Sequence, residues 1–128
     1  MKELEYPFDS SFLLQKRRKL KKALLADGSA RMEKRIAVLG GSTTSDIVSM
    51  LELFLLNCGI QPVFYQSEYA QYWQDAMFDA PELAAFQPDL IFIHTTSRNI
   101  TEAPLPLSAS EQEVQDALER QYTHFTQM

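Results

Sequence analysis

The chain has 128 residues, 45% of them hydrophobic and 23% charged, with a formal net charge of −5 at pH 7. That length bounds it to one domain, and that balance excludes disorder of the whole chain. A single cysteine, Cys58, excludes an internal disulfide, and no stretch approaches the roughly 18 uninterrupted apolar residues of a membrane span.

The charge is unevenly spread. Lys16, Arg17, Arg18, Lys19, Lys21 and Lys22 cluster near the start, whereas Ile36 to Met128 keeps only Arg98 and Arg120 against many carboxylates. This break divides the chain into a basic helical arm, residues 1–33, and an α/β region, residues 34–128. Asp9 or Ser10 can cap a helix that runs to about Ala26, with Leu13, Leu20 and Leu24 on one side and Asp27-Gly28-Ser29 as its stop. A basic amphipathic helix can serve nucleic acid, an anionic membrane surface or an acidic partner. The favoured reading is a solvated face whose apolar seam docks on the remainder of the chain. No aromatic is interleaved among the charges to stack on bases, so neither nucleic acid nor membrane is the expected partner.

Lys34 to Gly59 organises the rest. Ile36 to Leu39 reads as a strand covered on both faces, followed by the turn Gly40-Gly41-Ser42-Thr43-Thr44, whose two glycines permit a tight bend. From Thr44 or Ser45 to Asn57 a helix is apolar around most of its circumference, leaving Asp46, Ser49 and Glu52 as a thin polar stripe; such a helix is buried on more than one side. Gly59 fits a left-handed C′ position, and Cys58 just before it is expected to be a packed thiol in a reducing compartment. The N-terminus, MKELEYPFDSS, has no apolar core of a signal peptide, so the expected location is the cytoplasm.

Val63 to Gln66 is a second strand, and Ser67 to Phe78 is aromatic-rich and partly helical. Asp79-Ala80-Pro81-Glu82 reads as a capping box opening a short helix to Phe86, and Leu90 to His94 as a third strand. After a polar loop, Ser108 with Glu111, or Ser110 with Glu113, caps a last helix carrying Val114, Ala117, Leu118, Tyr122 and Phe125 at helical spacing.

Two right-handed βαβ crossovers predict a three-layer αβα, flavodoxin-like parallel sheet in the order 2-1-3, with the turn Gly40 to Thr44 beside the loop His94 to Asn99. A crevice between two strand ends is where such sheets bind ligands. Three strands are few, and the third would be an open edge. The domain therefore reads as incomplete, with the edge covered by further polypeptide or by a second subunit in a homo-oligomer.

The segments YPFDSSFLLQKRRKLKKALL, KRIAVLGGSTTSDIVSMLELFLLNCGIQPVFYQSEYAQYWQD and FQPDLIFIHTTSRNI resemble the beginning of FkbH-like proteins. These carry an SGNH-hydrolase-like domain before a phosphatase domain of the haloacid dehalogenase superfamily, subfamily IIIC. The resemblance implies a transferase-phosphatase that loads a glyceryl or acyl unit onto an acyl carrier protein, with a downstream catalytic domain as partner and magnesium needed only there. It places Ser42 where SGNH hydrolases have their nucleophile, with Gly41 in place of an aspartate, and Arg98 and Asn99 near the position of an oxyanion-binding asparagine. Neither the Asp-x-x-His block of SGNH hydrolases nor the Asp-x-Asp motif of the phosphatases is present, so no metal site and no complete catalytic set are expected in these 128 residues.

Ser42 as a nucleophile needs a base, for which His94 is the candidate, although a histidine at a strand end is more often a packed side chain. The alternative for Ser42, Thr43, Thr44 or Ser45 is a helix cap. A third reading makes Gly40, Gly41, Ser42, Thr43 and Thr44 an anion cradle with Arg98 as its cation, without the lysine of a phosphate-binding loop. Tyr69, Tyr72 and Trp73 either line a neighbouring pocket or serve as core. A non-catalytic interaction or oligomerisation module is the competing class.

Overall fold

A computed structural model describes residues 1–128. Its elements are α1 (Ser10–Ala26), β1 (Met32–Gly40), α2 (Ser45–Asn57), β2 (Ile60–Gln66), α3 (Tyr72–Met77), α4 (Pro81–Phe86), β3 (Leu90–His94) and α5 (Glu111–Thr126). The three strands are parallel in the order β2-β1-β3.

β1 is central, and its side chains alternate between two cores. Ile36 and Val38 meet Val48 of α2, whereas Ala37 and Leu39 meet Tyr72 and Leu83 of α3 and α4 on the opposite face. The strand is longer than its apolar run. Met32 to Arg35 pair through backbone with Ile60 to Val63 while Met32 and Glu33 stay exposed, so hydrogen bonding extends the strand where burial does not. β2 accommodates Pro62 because it is an edge strand, where a missing N–H costs no ladder bond.

α2 is buried on two sides, as its apolar circumference requires. Its sheet face carries Val48, and Leu53 and Leu56 on its other face pack with Leu13, Leu20 and Leu24 of α1 and with Leu4. The basic residues of α1 lie on its remaining surface, and Lys21 reaches Glu52 of α2 at 2.8 Å. Arg31 pins the two helices together at their carboxyl ends. Its side chain is 7% exposed and donates to the carbonyls of Leu24 and Leu56 and to the Asp27 carboxylate, so it satisfies helix-terminal acceptors that have no intrahelical partner.

The helix ends differ in part from expectation. Asp9 caps α1 and Ser110 forms a reciprocal capping box with Glu113 at α5. No box forms at Asp79, because Pro81 occupies the first helical position and makes Ala80 the N-cap residue. Cys58 is exposed rather than packed, since it falls at the C-cap, past the buried stripe of α2. Gly59 takes a left-handed φ of 80° as the C′ residue. No helix is long and apolar enough to cross a membrane.

Candidate functional site

The turn after β1 and the loop after β3 are fastened to each other at the carboxyl ends of the strands. The Gly41 N–H donates to the His94 carbonyl at 2.8 Å, continuing the β1–β3 ladder one residue past Gly40. Asn99 then closes the contact. Its Nδ2 donates to the Gly41 carbonyl at 3.0 Å, and its Oδ1 accepts from the Thr96 N–H at 2.8 Å. Thr96 Oγ1 accepts in return from the Arg98 N–H at 3.3 Å, so residues 96–99 form a capped single turn.

The two glycines are required here by close approach rather than by backbone dihedral. Neither has positive φ. A Cβ on Gly41 would overlap the Asn99 side chain, and one on Gly40 would lie 2.6 Å from Thr44 Cγ2 and 2.8 Å from the Ser42 carbonyl oxygen. The Gly40 N–H donates to Ser67 Oγ at 3.0 Å, which ties the turn to the residue that follows β2.

Thr44 is the N-cap residue of α2 but makes no capping hydrogen bond; its hydroxyl turns instead toward Gln66 Oε1 at 3.4 Å. The helix N-terminus is thus without a side-chain acceptor, which overturns the expectation of a hydroxyl cap. Ser42 is half-buried, Thr43 exposed and Thr44 buried. Arg98 is exposed beside them in sequence with Asn99, and it forms none of the ion pairs of the chain. Asp46 occupies the first turn of α2 and sets a carboxylate at the same end of the helix.

The structure therefore brings Gly40, Gly41, Thr44, His94 and Asn99 together, but it does not join His94 to Ser42 through a hydrogen bond. The His94 carbonyl serves the turn, while Nδ1 of its ring is buried without a partner. The asparagine has a positioning role: its amide fixes the turn that carries Ser42. The aromatics lie apart from the crevice. Tyr72 is core beneath Ala37 and Leu39, Trp73 stacks on His124 with ring centroids 3.9 Å apart, and Tyr69 is exposed.

Two further features escape a reading of the sequence. Tyr65, Glu68, Asp75, Asp79 and Glu82 line an acidic hollow of about 290 Å³; burial, then the neighbouring Glu68 and Glu82, raise the Asp75 carboxyl above its ordinary range. The spacing of these acids is visible, but their convergence depends on the packing of α3 and α4. An apolar groove of about 610 Å³ also runs between Ile100–Leu105 and Val114–Gln121. No group of three or more histidine, cysteine, aspartate or glutamate side chains is placed to hold a metal ion.

No family model and no curated protein matches the chain. In fold it is similar to the crystal structure of the N-terminal part of the protein BF1531 from Bacteroides fragilis, described as containing a phosphatase domain and complexed with magnesium. The TM-score is 0.62 at 20% identity, over 87% of this chain but only 29% of that one. The chain is thus an α/β sheet of the kind found in the N-terminal part of a phosphatase-domain protein, and it spans less than a third of its structural neighbour.

Proposed function

We propose that residues 1–128 form the leading portion of an FkbH-like protein, an SGNH-hydrolase-like half-domain that anchors an anionic group of the substrate for a catalytic domain elsewhere in the polypeptide. The observation that carries this reading is the Asn99–Gly41 latch, which holds Ser42 and the uncapped start of α2 in a crevice between β1 and β3. Strand order reverses there, the position at which open α/β sheets take ligands. Unpartnered helical N–H groups and the helix dipole stabilise negative charge, and Arg98, exposed on the loop after β3, is the cation available to an anion there.

In this reading the Ser42 hydroxyl and the first amides of α2 hold a phosphate or carboxylate oxygen, and Ser42 acts as a nucleophile only with a base supplied from outside these residues. Phosphatase chemistry, its magnesium and an acyl carrier protein belong to the downstream part of the proposed parent. The similarity in fold to the N-terminal part of BF1531, described as containing a phosphatase domain and complexed with magnesium, supports the phosphatase part of this reading.

Amide chemical shifts of the 15N-labelled chain, followed during titration with inorganic phosphate and with phosphoglycerate, test the anchor. Movement of residues 41–47, lost in Arg98→Ala, is the expected result; shifts scattered over α1 alone would remove the crevice from consideration. Hydrolysis of p-nitrophenyl acetate separates the two roles of Ser42. Equal background rates for the wild type and Ser42→Ala are expected for an anchor, whereas a rate that disappears in Ser42→Ala would make the serine a nucleophile within this chain.

A non-catalytic interaction module is the second reading, favoured by the exposed apolar side chains of β3, namely Leu90, Ile91 and Phe92.

A further inference from the structure

The backbone ladders on the two flanks of β1 stop at the same level, and in each a side chain takes the next rung. In a parallel pair, a residue facing its neighbour donates to the residue before its partner and accepts from the residue after it. On the β2 flank Val38 pairs with Gln66, and the Ser67 N–H donates to the Val38 carbonyl at 3.0 Å. The next rung would take the Gly40 N–H to the Ser67 carbonyl. It goes instead to the Ser67 hydroxyl, at 3.0 Å. On the β3 flank Gly40 pairs with His94, the Gly41 N–H donates to the His94 carbonyl, and the next rung would join the Thr96 N–H to the Gly41 carbonyl. There the Asn99 carboxamide is inserted, with Oδ1 on the Thr96 N–H and Nδ2 on the Gly41 carbonyl.

Resting on the reading of the crevice as an anion anchor, we infer that Ser67 is a second positioning residue of that anchor, the counterpart of Asn99 on the opposite flank of β1. It acts through Gly40. That residue is buried, and its backbone lies so close to the rest of the turn that a Cβ on it would stand 2.8 Å from the Ser42 carbonyl oxygen and 2.6 Å from Thr44 Cγ2. A shift of the Gly40 peptide is therefore felt by Ser42 and by the residue that opens α2. The far end of the turn is tied to the same place, since the Thr44 hydroxyl turns toward Gln66 Oε1 at 3.4 Å. Consecutive residues at the end of β2 thus hold Gly40 and Thr44, with Ser42 between them.

A main-chain carbonyl would hold Gly40 as well, but only by keeping β2 in the sheet. The hydroxyl lets the chain leave at Ser67 while the turn stays fastened. These contacts lie on the flank that β2 already covers, so the strap is complete within these residues.

Inorganic phosphate titrated into the 15N-labelled chain, with the dissociation constant read from the amides of residues 41–47, tests the role. Ser67→Ala should weaken phosphate by at least about fivefold, the factor carried by one neutral hydrogen bond, and Ser67→Thr, which keeps the hydroxyl, should restore it. Arg31→Lys is the control for general loosening, because it lowers stability from the opposite end of α2 and should leave phosphate affinity where it was. If Ser67→Ala does not fold, Ser67→Cys fills the same space with a weaker acceptor and should shift affinity in the same direction. Phosphate bound equally with and without the Ser67 hydroxyl, or weakened as much by Arg31→Lys, overturns the role of Ser67 and leaves the anchor standing. No response at residues 41–47 in the wild type overturns the anchor, and the role of Ser67 with it.

Discussion

Replacing Gly41 with alanine puts a methyl group where the Asn99 side chain now lies. The backbone of Gly41 is held by its N–H on the His94 carbonyl and by its carbonyl on Asn99 Nδ2, so the turn cannot slide to make room. The asparagine must leave, and it takes with it the bonds to the Gly41 carbonyl and the Thr96 N–H. Two neutral hydrogen bonds of about 1 kcal/mol each, with about 1 kcal/mol or more for the forced repacking, give a loss of roughly 2–4 kcal/mol. Urea unfolding followed by circular dichroism measures it. Asn99→Ala alone should cost about 1–2 kcal/mol, and adding it to Gly41→Ala should cost little more, because the side chain that clashes is already gone. The coupling between the two positions should therefore be about 1 kcal/mol or larger. Additive losses, or a Gly41→Ala chain as stable as the wild type, would refute the latch and with it the reason for glycine at this position.

Arg31→Met strips the Leu24 carbonyl of its buried donor and leaves the Leu56 carbonyl only the Gly59 N–H, and should lower stability by about 1–3 kcal/mol in calorimetry; Arg31→Lys should recover less than half, since an ammonium cannot span both acceptors. Asp75 has its pKa raised by burial, then by Glu68 and Glu82, so the native state holds its proton more tightly than the unfolded chain and ionisation opposes folding at neutral pH. Asp75→Asn should therefore unfold at higher urea than the wild type at pH 7, with the gap closing as pH falls through the raised pKa of Asp75. Glu113 behaves oppositely. The Ser110 N–H, then its hydroxyl, lower its pKa, so its contribution is complete above the ordinary carboxyl range and is lost as pH falls through the lowered value; Glu113→Gln, which keeps an acceptor for the Ser110 N–H but cannot titrate, should flatten that acid limb of the stability profile.

The sheet was legible because its ordering follows from local features. A short apolar run, a double glycine and a helix too apolar for one contact surface place β1 at the centre and α2 between two layers, and right-handed crossovers then fix the order 2-1-3. The site was legible only in outline. Two glycines suggested a tight bend, but their φ values are ordinary and their necessity comes from Asn99, 58 positions away in the chain. Local signals also misplaced the cap at Asp79, where Pro81 set the helix start one residue later, and the thiol of Cys58, which sits past the end of the stripe that would have buried it. In each case the residue type was informative and its partner was not, because the partner is chosen by tertiary packing.

The same dependence on neighbours explains why the molecule is finished on one side and open on the other. Ile36, Ala37 and Val38 are buried while their partners Leu90, Ile91 and Phe92 are half-exposed, yet the six are alike in hydrophobicity and lie in one register. The difference is what stands beyond them: β1 has a strand on each flank and helices on both faces, whereas β3 has β1 on one flank only and sends a single side chain, Ile93, into the core of Ala37, Leu39, Tyr72 and Leu83. The side chains left with buried polar atoms lacking partners, His94, Gln121 and His124, belong to β3 and α5 as well. Exposed apolar side chains and unsatisfied polar atoms on the same pair of elements are what a surface leaves when its covering is supplied by another chain or segment. The crevice between β1 and β3 therefore has one wall, the turn Gly40 to Thr44, built on the closed half of the sheet, and another, the loop Thr96 to Asn99, built on the open half.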